Sequence, residues 1–458
     1  MKKLSISEIE KAVEGKLICG EKNFKISGVS TDSRKAGSED LFFPLIGEIH
    51  DAHKFIPSAV ENGCKTFVLS NTEYTTNLQG INVILVDDTL VALQKLAKYY
   101  VSILNLKKVG VTGSVGKTTT RDMAYYICKE KYKTGTTVGN FNNDIGVPLT
   151  VFSFEEDMEA AVVEMGMAYT GDIHRLADIV RPNVGIITNV GLPHVDTVGS
   201  IEGILRAKLE ITDYFDENNV LVINQGCDML NADEIQGDFK IIPVGEKADC
   251  QFIVSKICDF GEEGIKFILT HQEKDYEIRL FVPGGHNAVN AALAIAACME
   301  IGVSIKEAIN GLQKLQLTGK RLNILEKNGI KVIDDTYNAC PESVKSGINT
   351  LMNTKGKRKI AILGDMYGLG DETDRLHKEV GQYAVMSKVD ILIAIGEKGK
   401  YIVEGGKPFS PQQQVLYFPD KATLINKIHD ILASGDVVLV KASRKMAMEE
   451  IVENIVNE

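Results

Sequence analysis

The chain has 458 residues, of which 44% are hydrophobic and 25% are charged. These values are ordinary for a soluble globular protein, and the length predicts about three domains. The net charge of −11 argues against a general nucleic-acid-binding protein, because phosphate backbones are bound by clustered Lys and Arg. It leaves open a small anionic ligand held in a local site.

The N-terminus and the cysteines predict a cytoplasmic location. The opening sequence, MKKLSISEIEKAVEGK, has two lysines but no apolar core behind them, unlike a secretory signal. No apolar stretch approaches the length needed to span a bilayer. The eight cysteines are scattered without a C-x-x-C pair, which predicts reduced side chains and neither a disulfide framework nor a zinc site.

Residues 1–88 predict a first domain of short strands and helices. Strands are expected at 26–30, 40–43, 66–69 and 83–86, and a helix at 55–62. The loop STDSR, residues 30–34, follows the first strand and concentrates three hydroxyls, an aspartate and an arginine. Such a loop can hydrogen-bond a phosphate or a sugar. An ordinary polar turn explains the same residues equally well.

A helix predicted over 89–104 leads into a second domain, residues 89–315, because its apolar residues recur at helical spacing. The next stretch, VGVTGSVGKTTT at 109–120, predicts a strand, a tight loop and a helix that begins with Lys117 and Thr118. This layout is typical of a phosphate-binding loop, in which backbone N–H groups surround the phosphates, Lys117 reaches the outer ones and the Thr118 hydroxyl can ligate Mg²⁺. Val111 replaces the first glycine of the full signature, so the match is to the short TGSxGKT form. An ordinary strand–turn–helix is the alternative.

Polar side chains follow two further strands of the second domain. Glu164 comes directly after the apolar run 160–163, and His194 follows the run 184–188. In open α/β sheets ligands bind beyond the carboxyl ends of the strands, so we expect both side chains where Mg²⁺ and the γ-phosphate would lie. The alternatives are a solvated strand end for Glu164 and a loop residue for His194.

Two later features of this domain are less specific. Lys208 lies on a helix predicted over 200–215, where residue type alone does not distinguish it from a solvated lysine. Asn287 and Asn290 are three apart at the start of an Ala-rich helix and share a face, so their amides could bind an adenine edge or a ribose. Helix capping by one of them is the alternative.

Residues 316–458 predict a third domain in which strands and helices alternate. Strands are expected at 331–333, 359–363, 391–395, 415–418 and 437–440, and helices at 341–353, 375–387, 421–432 and 446–456. No G-x-G-x-x-G fingerprint follows its first strand, so this Rossmann-like domain is not expected to bind a dinucleotide. Polar clusters follow three of its strands and predict a cleft that faces the second domain. The first cluster is Asp335, Tyr337 and Asn338, the second is Gly364 and Asp365, and the third is Ser443 and Arg444.

Taken in order, these motifs resemble the Mur ligase family over essentially the whole chain. They are STDSR, TGSxGKTT, VEMGM, ITNVGLPHVD, RAKLEI, GGHNAVNAALA, TGKRLNILE, DDTYNACPES, LGDMYGLG and VLVKASR. The resemblance implies a three-domain α/β architecture. An N-terminal domain would bind the uridine nucleotide, a central P-loop ATPase domain would carry a parallel sheet, and a C-terminal Rossmann-like domain would bind the incoming dipeptide.

The resemblance also implies roles for individual residues. Lys117, Glu164, His194 and Lys208 would be catalytic, and Thr118, Glu164, His194 and a carbamylated Lys208 would hold Mg²⁺. The ATP-binding positions would be Thr112, Gly113, Ser114, Val115, Gly116, Lys117, Thr118, Asn287, Asn290, Arg321 and Asp335. The substrate-binding positions would be Ser30, Thr31, Ser33 and Arg34 for the uridine nucleotide and Tyr337, Asn338, Ser443 and Arg444 on the dipeptide side.

Within the family, DDTYNA and GDM-x-x-LG favour the member that adds D-alanyl-D-alanine to UDP-N-acetylmuramoyl-tripeptide through an acyl phosphate. The products would be UDP-N-acetylmuramoyl-pentapeptide, ADP and phosphate, in peptidoglycan precursor synthesis. A sister ligase adding another amino acid, a simple ATPase and a non-catalytic nucleotide-binding scaffold are the alternatives. We expect small-molecule substrates, no nucleic-acid partner and a monomer.

Overall fold

The structure is a computed structural model that describes residues 1–47, 49–75, 79–319 and 322–457. It contains three large sheets, one within each of the predicted ranges 1–88, 89–315 and 316–458. We call these parts the N-terminal, central and C-terminal units, and their limits stay predictions. In the described ranges, no helix combines the length and the apolar character that crossing a membrane requires.

The N-terminal unit is built on a five-stranded sheet in the order β2-β7-β6-β5-β4. Strands β4 to β7 run parallel, and β2 pairs antiparallel with β7, while β1 and β3 form a separate antiparallel pair. The strands predicted at 40–43, 66–69 and 83–86 and the helix at 55–62 are confirmed, whereas the strand predicted over 26–30 is divided between β3 and β4. The elements are β1 (Leu4–Ser5), α1 (Ile6–Ala12), β2 (Lys16–Cys19), β3 (Lys25–Ile26), β4 (Gly28–Ser30), β5 (Asp40–Phe42), α2 (Ile56–Glu61), β6 (Thr66–Leu69) and β7 (Asn82–Leu85).

Helix α3 (Thr89–Ser102) joins the N-terminal unit to the central unit. Asp88 caps its first turn by accepting hydrogen bonds from the N–H groups of Leu90 and Val91. Tyr100 lies fully buried, and its hydroxyl donates to the Phe154 carbonyl at 2.7 Å. This bond ties the connecting helix to the central unit.

The central unit contains a nine-stranded sheet in the order β16-β15-β14-β13-β12-β11-β8-β10-β9. The strands from β9 to β14 in this order run parallel, and β15 and β16 extend the sheet as an antiparallel hairpin. The elements are β8 (Lys107–Thr112), α4 (Lys117–Cys128), β9 (Thr134–Thr136), α5 (Gly146–Phe152), β10 (Ala160–Glu164), α6 (Asp172–Val180), β11 (Val184–Ile187), α7 (Val195–Val198), α8 (Ile201–Leu209), β12 (Val220–Asn224), β13 (Lys240–Gly245), β14 (Phe252–Asp259), β15 (Ile265–His271), β16 (Lys274–Leu280), α9 (Asn287–Glu300) and α10 (Ile305–Gln313).

Three strands of this sheet, β9, β12 and β13, were not predicted from the sequence. Strand β9 has only three residues, and β13 contains Pro243, a residue that normally argues against a central strand. The helix predicted over 200–215 is also shorter in the structure, since α8 ends at Leu209 and a 3₁₀ turn follows.

The C-terminal unit has a six-stranded sheet in the order β17-β18-β22-β19-β20-β21, parallel except for the edge strand β17. Its predicted strand and helix alternation is confirmed, with β17 and α13 as additions. The elements are β17 (Asn323–Lys327), β18 (Ile330–Asp334), α11 (Pro341–Asn353), β19 (Arg358–Leu363), α12 (Thr373–Met386), β20 (Ile391–Ile395), α13 (Gly399–Gly406), β21 (Gln414–Phe418), α14 (Lys421–Ile431), β22 (Asp436–Lys441) and α15 (Glu449–Asn457).

Candidate active site

A cleft of about 770 Å³ lies between the central and C-terminal units. The central unit contributes the loop between β8 and α4, the ends of β10 and β11 and the start of α9. The C-terminal unit contributes the segment after β18 and the first half of α11. The predicted residues that line the cleft are Ser114, Val115, Gly116, Lys117, Thr118, Glu164, His194, Asn287, Asp335, Tyr337 and Asn338.

The loop at residues 113–116 has the backbone that a phosphate-binding loop needs. Gly113 and Gly116 have φ values of 146° and 84°, which side chains other than glycine rarely adopt. A Cβ at Gly113 would lie 1.9 Å from Thr188 Oγ1, so the loop also packs too closely for a larger residue. Asn189 holds the loop from the end of β11: its Oδ1 accepts from Val115 N at 2.8 Å and its Nδ2 donates to Val115 O at 3.0 Å.

Lys117 folds back over this loop. Its ammonium donates to the carbonyl oxygens of Gly113 at 2.8 Å and Ser114 at 3.3 Å. Because Lys117 begins α4, its charge lies beside the helix N-terminus, whose partial positive charge favours anions. Loop, helix end and ammonium together form an electropositive cradle suited to phosphate groups.

Glu164 is an acidic residue of the cleft and is 1% exposed. One carboxylate oxygen accepts from the Thr118 hydroxyl at 2.7 Å, and the other accepts from Asn142 Nδ2 at 2.8 Å. The buried guanidinium of Arg121 lies 3.9 Å away and also donates to the carbonyls of Thr137 and Gly139. Hydrogen bonds and a nearby cation are what a buried carboxylate requires, so this carboxylate is held in one orientation.

These oxygen donors suit magnesium. Among the residues that the structure describes, no group of three or more His, Cys, Asp or Glu side chains is arranged to hold a metal ion. Mg²⁺, however, usually takes one or two protein oxygens and completes its shell with water and substrate phosphates. The Thr118 hydroxyl and the Glu164 carboxylate, side by side beneath the phosphate-binding loop, fit that pattern.

His194 lines the cleft from a strained position. It has a φ of 72° and directly precedes the short helix α7. The protein atoms around its ring, and then the cations Lys117 and Lys208, lower the pKa of His194, although the residue keeps contact with solvent. A neutral imidazole is therefore favoured here.

Lys208 differs from an ordinary surface lysine because it is 1% exposed. Its Nζ lies 3.7 Å from Met167 Sδ, and none of the described carboxylates forms an ion pair with it. Burial, and then the charge of Lys117, hold the pKa of Lys208 well below its ordinary value. The uncharged amine is the form this environment favours.

Asn287 and Asn290 are buried at the start of α9 and bonded to each other. Asn290 Nδ2 donates to Asn287 Oδ1 at 3.0 Å, and Asn287 Nδ2 donates to the Pro283 carbonyl at 2.8 Å. The Asn290 amide also packs against the phosphate-binding loop, since a Cβ at Gly116 would lie 3.1 Å from its oxygen. Their contact with an adenine or a ribose stays a prediction.

In the C-terminal unit, Asp335 forms a buried ion pair with Lys441, with Nζ and Oδ2 2.6 Å apart. Lys441 also donates to the Asn338 carbonyl at 2.8 Å, which fixes the segment that carries Tyr337 and Asn338 along the cleft. Ser443 is buried, and its hydroxyl accepts from the backbone N–H of Tyr367, which lines the cleft.

Other predicted positions lie elsewhere. Arg444 is exposed and pairs with Glu449 at 2.8 Å, and neither it nor Ser443 lines the cleft. Thr112 lies fully buried at the end of β8. Arg321 falls outside the described residues.

The STDSR loop follows β4 in the N-terminal unit and is closed by its own hydrogen bonds. Arg34 donates to both carboxylate oxygens of Asp32, at 2.9 and 2.8 Å, and these bonds hold the pKa of Asp32 at about 2. The Ser30 hydroxyl accepts from Asp32 N at 3.1 Å, and Asn62 donates to the Ser33 carbonyl at 2.9 Å. The loop, including Thr31, lies outside the residues that line the cleft.

Comparisons with known proteins agree with this geometry. The chain matches the Mur ligase middle domain at residues 111–298 and the Mur ligase glutamate ligase domain at residues 320–444. It is 38% identical to UDP-N-acetylmuramoyl-tripeptide–D-alanyl-D-alanine ligase of Bacillus subtilis, covering 100% of this chain and 99% of that protein. The chain belongs to the Mur ligase family. A second relative with the same name, from Haemophilus influenzae, is 32% identical over 99% of both chains.

Solved structures of Mur ligases match the whole fold. MurF from Acinetobacter baumannii superposes with a TM-score of 0.91 at 29% identity, covering 100% of both chains. MurF ligase from Thermotoga maritima, solved in complex with ADP, has a TM-score of 0.82 at 27% identity, covering 93% of this chain and 96% of that one.

Two cleft residues of this Mur ligase were given no role in the sequence analysis. Asn142 orients Glu164, and Lys441 neutralises Asp335. Asn142 lies in a stretch with no periodic pattern, so the sequence carries no signal for it. Lys441 ends the apolar strand β22, and a charged residue at that position could have been added to the strand-end clusters.

Proposed function

We propose that the chain is an ATP-dependent ligase that joins D-alanyl-D-alanine to UDP-N-acetylmuramoyl-tripeptide, yielding UDP-N-acetylmuramoyl-pentapeptide, ADP and phosphate for peptidoglycan synthesis. The observation that carries the proposal is the single cleft in which a phosphate-binding loop faces polar residues of the C-terminal unit. The full-length identity to ligases of that name supports the choice of substrates.

In the first step, the tripeptide carboxylate attacks the γ-phosphate of ATP in line and ADP leaves. Phosphoryl transfer is accelerated mainly by positioning and by stabilising the charge on the transferring oxygens. The N–H groups of the loop at 113–116, the N-terminus of α4 and the Lys117 ammonium supply that stabilisation. Lys117 exchanges its bonds to the Gly113 and Ser114 carbonyls for bonds to phosphate oxygens.

Thr118 and Glu164 are the residues that would hold Mg²⁺, through the Thr118 hydroxyl and the Glu164 carboxylate. When bound, the ion would neutralise charge on the ATP phosphates. Arg121, which lies beside Glu164, would keep the carboxylate oriented when no ion is bound. His194 lies in the same cleft, and we propose that its neutral ring would supply a further ligand for the ion.

Lys208 would act as a carbamate. Its amine, favoured in the neutral form, attacks carbon dioxide, forms an N–C bond and loses a proton to water. The product is an anionic oxygen donor, which suits Mg²⁺ better than an ammonium. The burial of Lys208 without a carboxylate partner among the described residues supports this assignment.

In the second step, the amine of D-alanyl-D-alanine attacks the acyl phosphate, and phosphate leaves from a tetrahedral intermediate. We place the dipeptide along the segment 335–340 and the start of α11, the face of the C-terminal unit that lines the cleft. Tyr337 and Asn338 are exposed enough to contact it. Ser443 supports this wall indirectly through Tyr367. Enclosure between the two units would keep water from the acyl phosphate.

The N-terminal unit would bind the uridine nucleotide through residues of the STDSR loop, with Arg34 exchanging Asp32 for a phosphate. We expect a monomer that acts in the cytoplasm, where ATP is available, and that binds no nucleic acid.

Phosphate release from ATP tests the reaction in a matrix that omits Mg²⁺, UDP-N-acetylmuramoyl-tripeptide or D-alanyl-D-alanine in turn. We expect release only with all three and a product heavier than the tripeptide by the dipeptide. Release that ignores the dipeptide would indicate an ATPase, and binding without release would indicate a scaffold. Release with another amino acid in place of the dipeptide would indicate a sister ligase.

The carbamate is tested separately by carbon-13 NMR of the protein in labelled bicarbonate. We expect a carbamate carbonyl signal that is absent from Lys208→Arg, in which the guanidinium is not nucleophilic. A signal that survives this substitution would place the modification elsewhere.

A further inference from the structure

A tight turn in the central unit contacts the C-terminal unit away from the cleft. The turn consists of residues 260–264, between β14 and β15, and we call it the docking turn. It packs against the end of α11 and the residues that follow, 353–355. Helix α11 therefore has the docking turn at one end and the cleft at the other.

Charge pairs join the two surfaces. Glu262 accepts from the Lys331 ammonium and from the backbone N–H of Lys355, the latter at 3.0 Å. Lys331 donates in addition to the Lys355 carbonyl at 3.2 Å. The side chains of Glu262 and Lys331 are only 21% and 23% exposed, whereas those of the neighbouring pair Glu263 and Lys355 are 48% and 74% exposed. The first pair is thus the one that water and salt screen less.

The backbone of the docking turn lies so close to the C-terminal unit that position 261 has no room for a side chain. Gly261 has a φ of 62°, and a Cβ there would lie 2.4 Å from the Asn353 carbonyl oxygen and 2.6 Å from Thr354 Cα. Both are backbone atoms of the C-terminal unit, so they cannot yield without moving that unit.

The same helix touches the nucleotide side of the cleft. The Ser346 hydroxyl lies 2.6 Å from His286 Nδ1, and His286 directly precedes Asn287 at the start of α9. A shift of α11 away from the docking turn would therefore also move the wall of the cleft that faces the phosphate-binding loop.

We propose that the docking turn holds the C-terminal unit over the cleft, with Gly261 and Glu262 as positioning residues for the ligation. Neither residue lines the cleft, so they act through α11 and not on the substrates. The expected effect of these residues on the ligation rate rests on the proposed ligase function, whereas their effect on the arrangement of the two units does not.

Charge reversal tests the ion pair in the full-length protein. We expect Glu262→Lys and Lys331→Glu each to enlarge the radius of gyration measured by small-angle X-ray scattering and to lower kcat/KM by about tenfold, a typical size for coupling between distant sites. The double variant restores the opposite charges and should recover both values in part, because the bonds of Glu262 and Lys331 to the Lys355 backbone stay lost. Glu263→Gln is the matched control, and we expect it to behave like wild type because its pair is exposed.

The proposal would be overturned if the single reversals scattered like wild type, or if the double variant recovered neither value. If scattering followed the prediction while no variant, including wild type, ligated the dipeptide, the proposed function would fail and the docking turn would stand.

A second pair of variants tests the backbone fit. Gly261→Ala should open the molecule, because the added methyl meets the backbone of the C-terminal unit. Gly63→Ala is the control: Gly63 has a φ of 92°, and nothing lies within 4 Å of its Cβ position, so it suffers backbone strain alone. Equal scattering by Gly261→Ala and Gly63→Ala would contradict the docking role.

Discussion

At the scale of single residues, two buried titratable side chains of the central unit, Glu164 and Lys208, have different surroundings. Glu164 receives hydrogen bonds from Thr118 and Asn142 and lies near Arg121, so its negative charge is compensated. Lys208 is equally buried but has a thioether as its nearest polar contact. Burial without a compensating charge disfavours the ammonium form, which is why the pKa of Lys208 lies well below its ordinary value.

Removing the Lys117 ammonium tests the cradle. We expect Lys117→Ala to lower kcat for ligation on the order of 10²–10³-fold at saturating ATP, the loss typical of one preorganised donor to transition-state charge. Lys129→Ala, at the exposed C-terminal end of α4, is the matched control. Near-normal ligation by Lys117→Ala would remove the loop from the reaction.

Asp365 predicts a pH dependence of stability in the C-terminal unit. Burial raises the pKa of its carboxyl, although the carboxylate accepts from the N–H groups of Lys398 and Gly399 at the start of α13. Because the folded protein binds this proton more tightly than the unfolded chain does, the contribution of Asp365 to stability is fully present below the ordinary pKa of 3.8. That contribution is lost as the pH rises through the raised pKa. Asp365→Asn keeps a hydrogen-bond acceptor and cannot ionise. We therefore expect its free energy of unfolding to equal that of wild type at low pH and to be larger than that of wild type at pH 7.

Urea unfolding at a series of pH values measures this difference. Asp420 provides a control of opposite sign, since its hydrogen bonds with Thr423 at the start of α14 lower the pKa of its carboxyl. The free energy of unfolding of wild type should exceed that of Asp420→Asn at neutral pH, and this difference should disappear as the pH falls through the lowered pKa of Asp420. Parallel curves for wild type and Asp365→Asn would contradict the first expectation.

At the scale of elements, the site is a meeting of strand ends. Strands β10 and β11 flank β8 in the sheet, so Glu164 and Asn189 arrive on either side of the loop that follows β8. Neither contact needs a long loop, because parallel strands present their carboxyl ends at one edge. The loop is therefore held by the sheet itself and not by its own sequence alone.

The support from β11 can be measured. Asn189→Ala removes two hydrogen bonds to the Val115 peptide, and at about 1 kcal/mol each we expect the KM for ATP to rise roughly tenfold to thirtyfold. Asn183→Ala is matched to it, because Asn183 lies at the other end of the same strand and accepts from Lys108 N at 2.8 Å. An equal rise in both variants would indicate a general loss of packing.

At the scale of the whole molecule, three units meet through a few defined contacts. Tyr100 on α3 joins the N-terminal and central units, because its hydroxyl accepts from Lys2 N at 2.7 Å and donates to the Phe154 carbonyl at 2.7 Å. Asp122 on α4 accepts from the N–H and hydroxyl of Thr318, just before the C-terminal sheet begins. The phosphate-binding helix is thus bonded directly to the segment that enters the C-terminal unit.

This arrangement predicts that nucleotide binding stabilises the central unit first. At a hundredfold excess over Kd, ATP with Mg²⁺ should stabilise the nucleotide-binding state by about 2.7 kcal/mol. Scanning calorimetry should show a higher transition temperature in wild type and a smaller rise in Lys117→Ala at the same ATP concentration, because the variant binds ATP more weakly. If the variant shifted as much as wild type, the nucleotide would bind away from the loop.

Several features of this protein were determined by the sequence alone. The residues at 113–118 form their loop and helix start through glycine conformations and turn chemistry within six positions. Helix α11 has the predicted limits, because Pro341 opens it and the apolar spacing continues to Asn353. Glu164, Asp335 and Asn338 were placed at the cleft by one rule about strand ends. Each inference used information contained in a short stretch of chain.

Only the tertiary structure decided the rest. Strands β12 and β13 exist because neighbouring strands offer them hydrogen bonds, which no local pattern records. The burial of Lys208, the pairing of Asp335 with Lys441 and the docking turn all join residues far apart in sequence. Burial and ion pairing depend on which distant segments come together, whereas turns and helix limits depend on near neighbours. That physical difference separates what could be predicted here from what had to be observed.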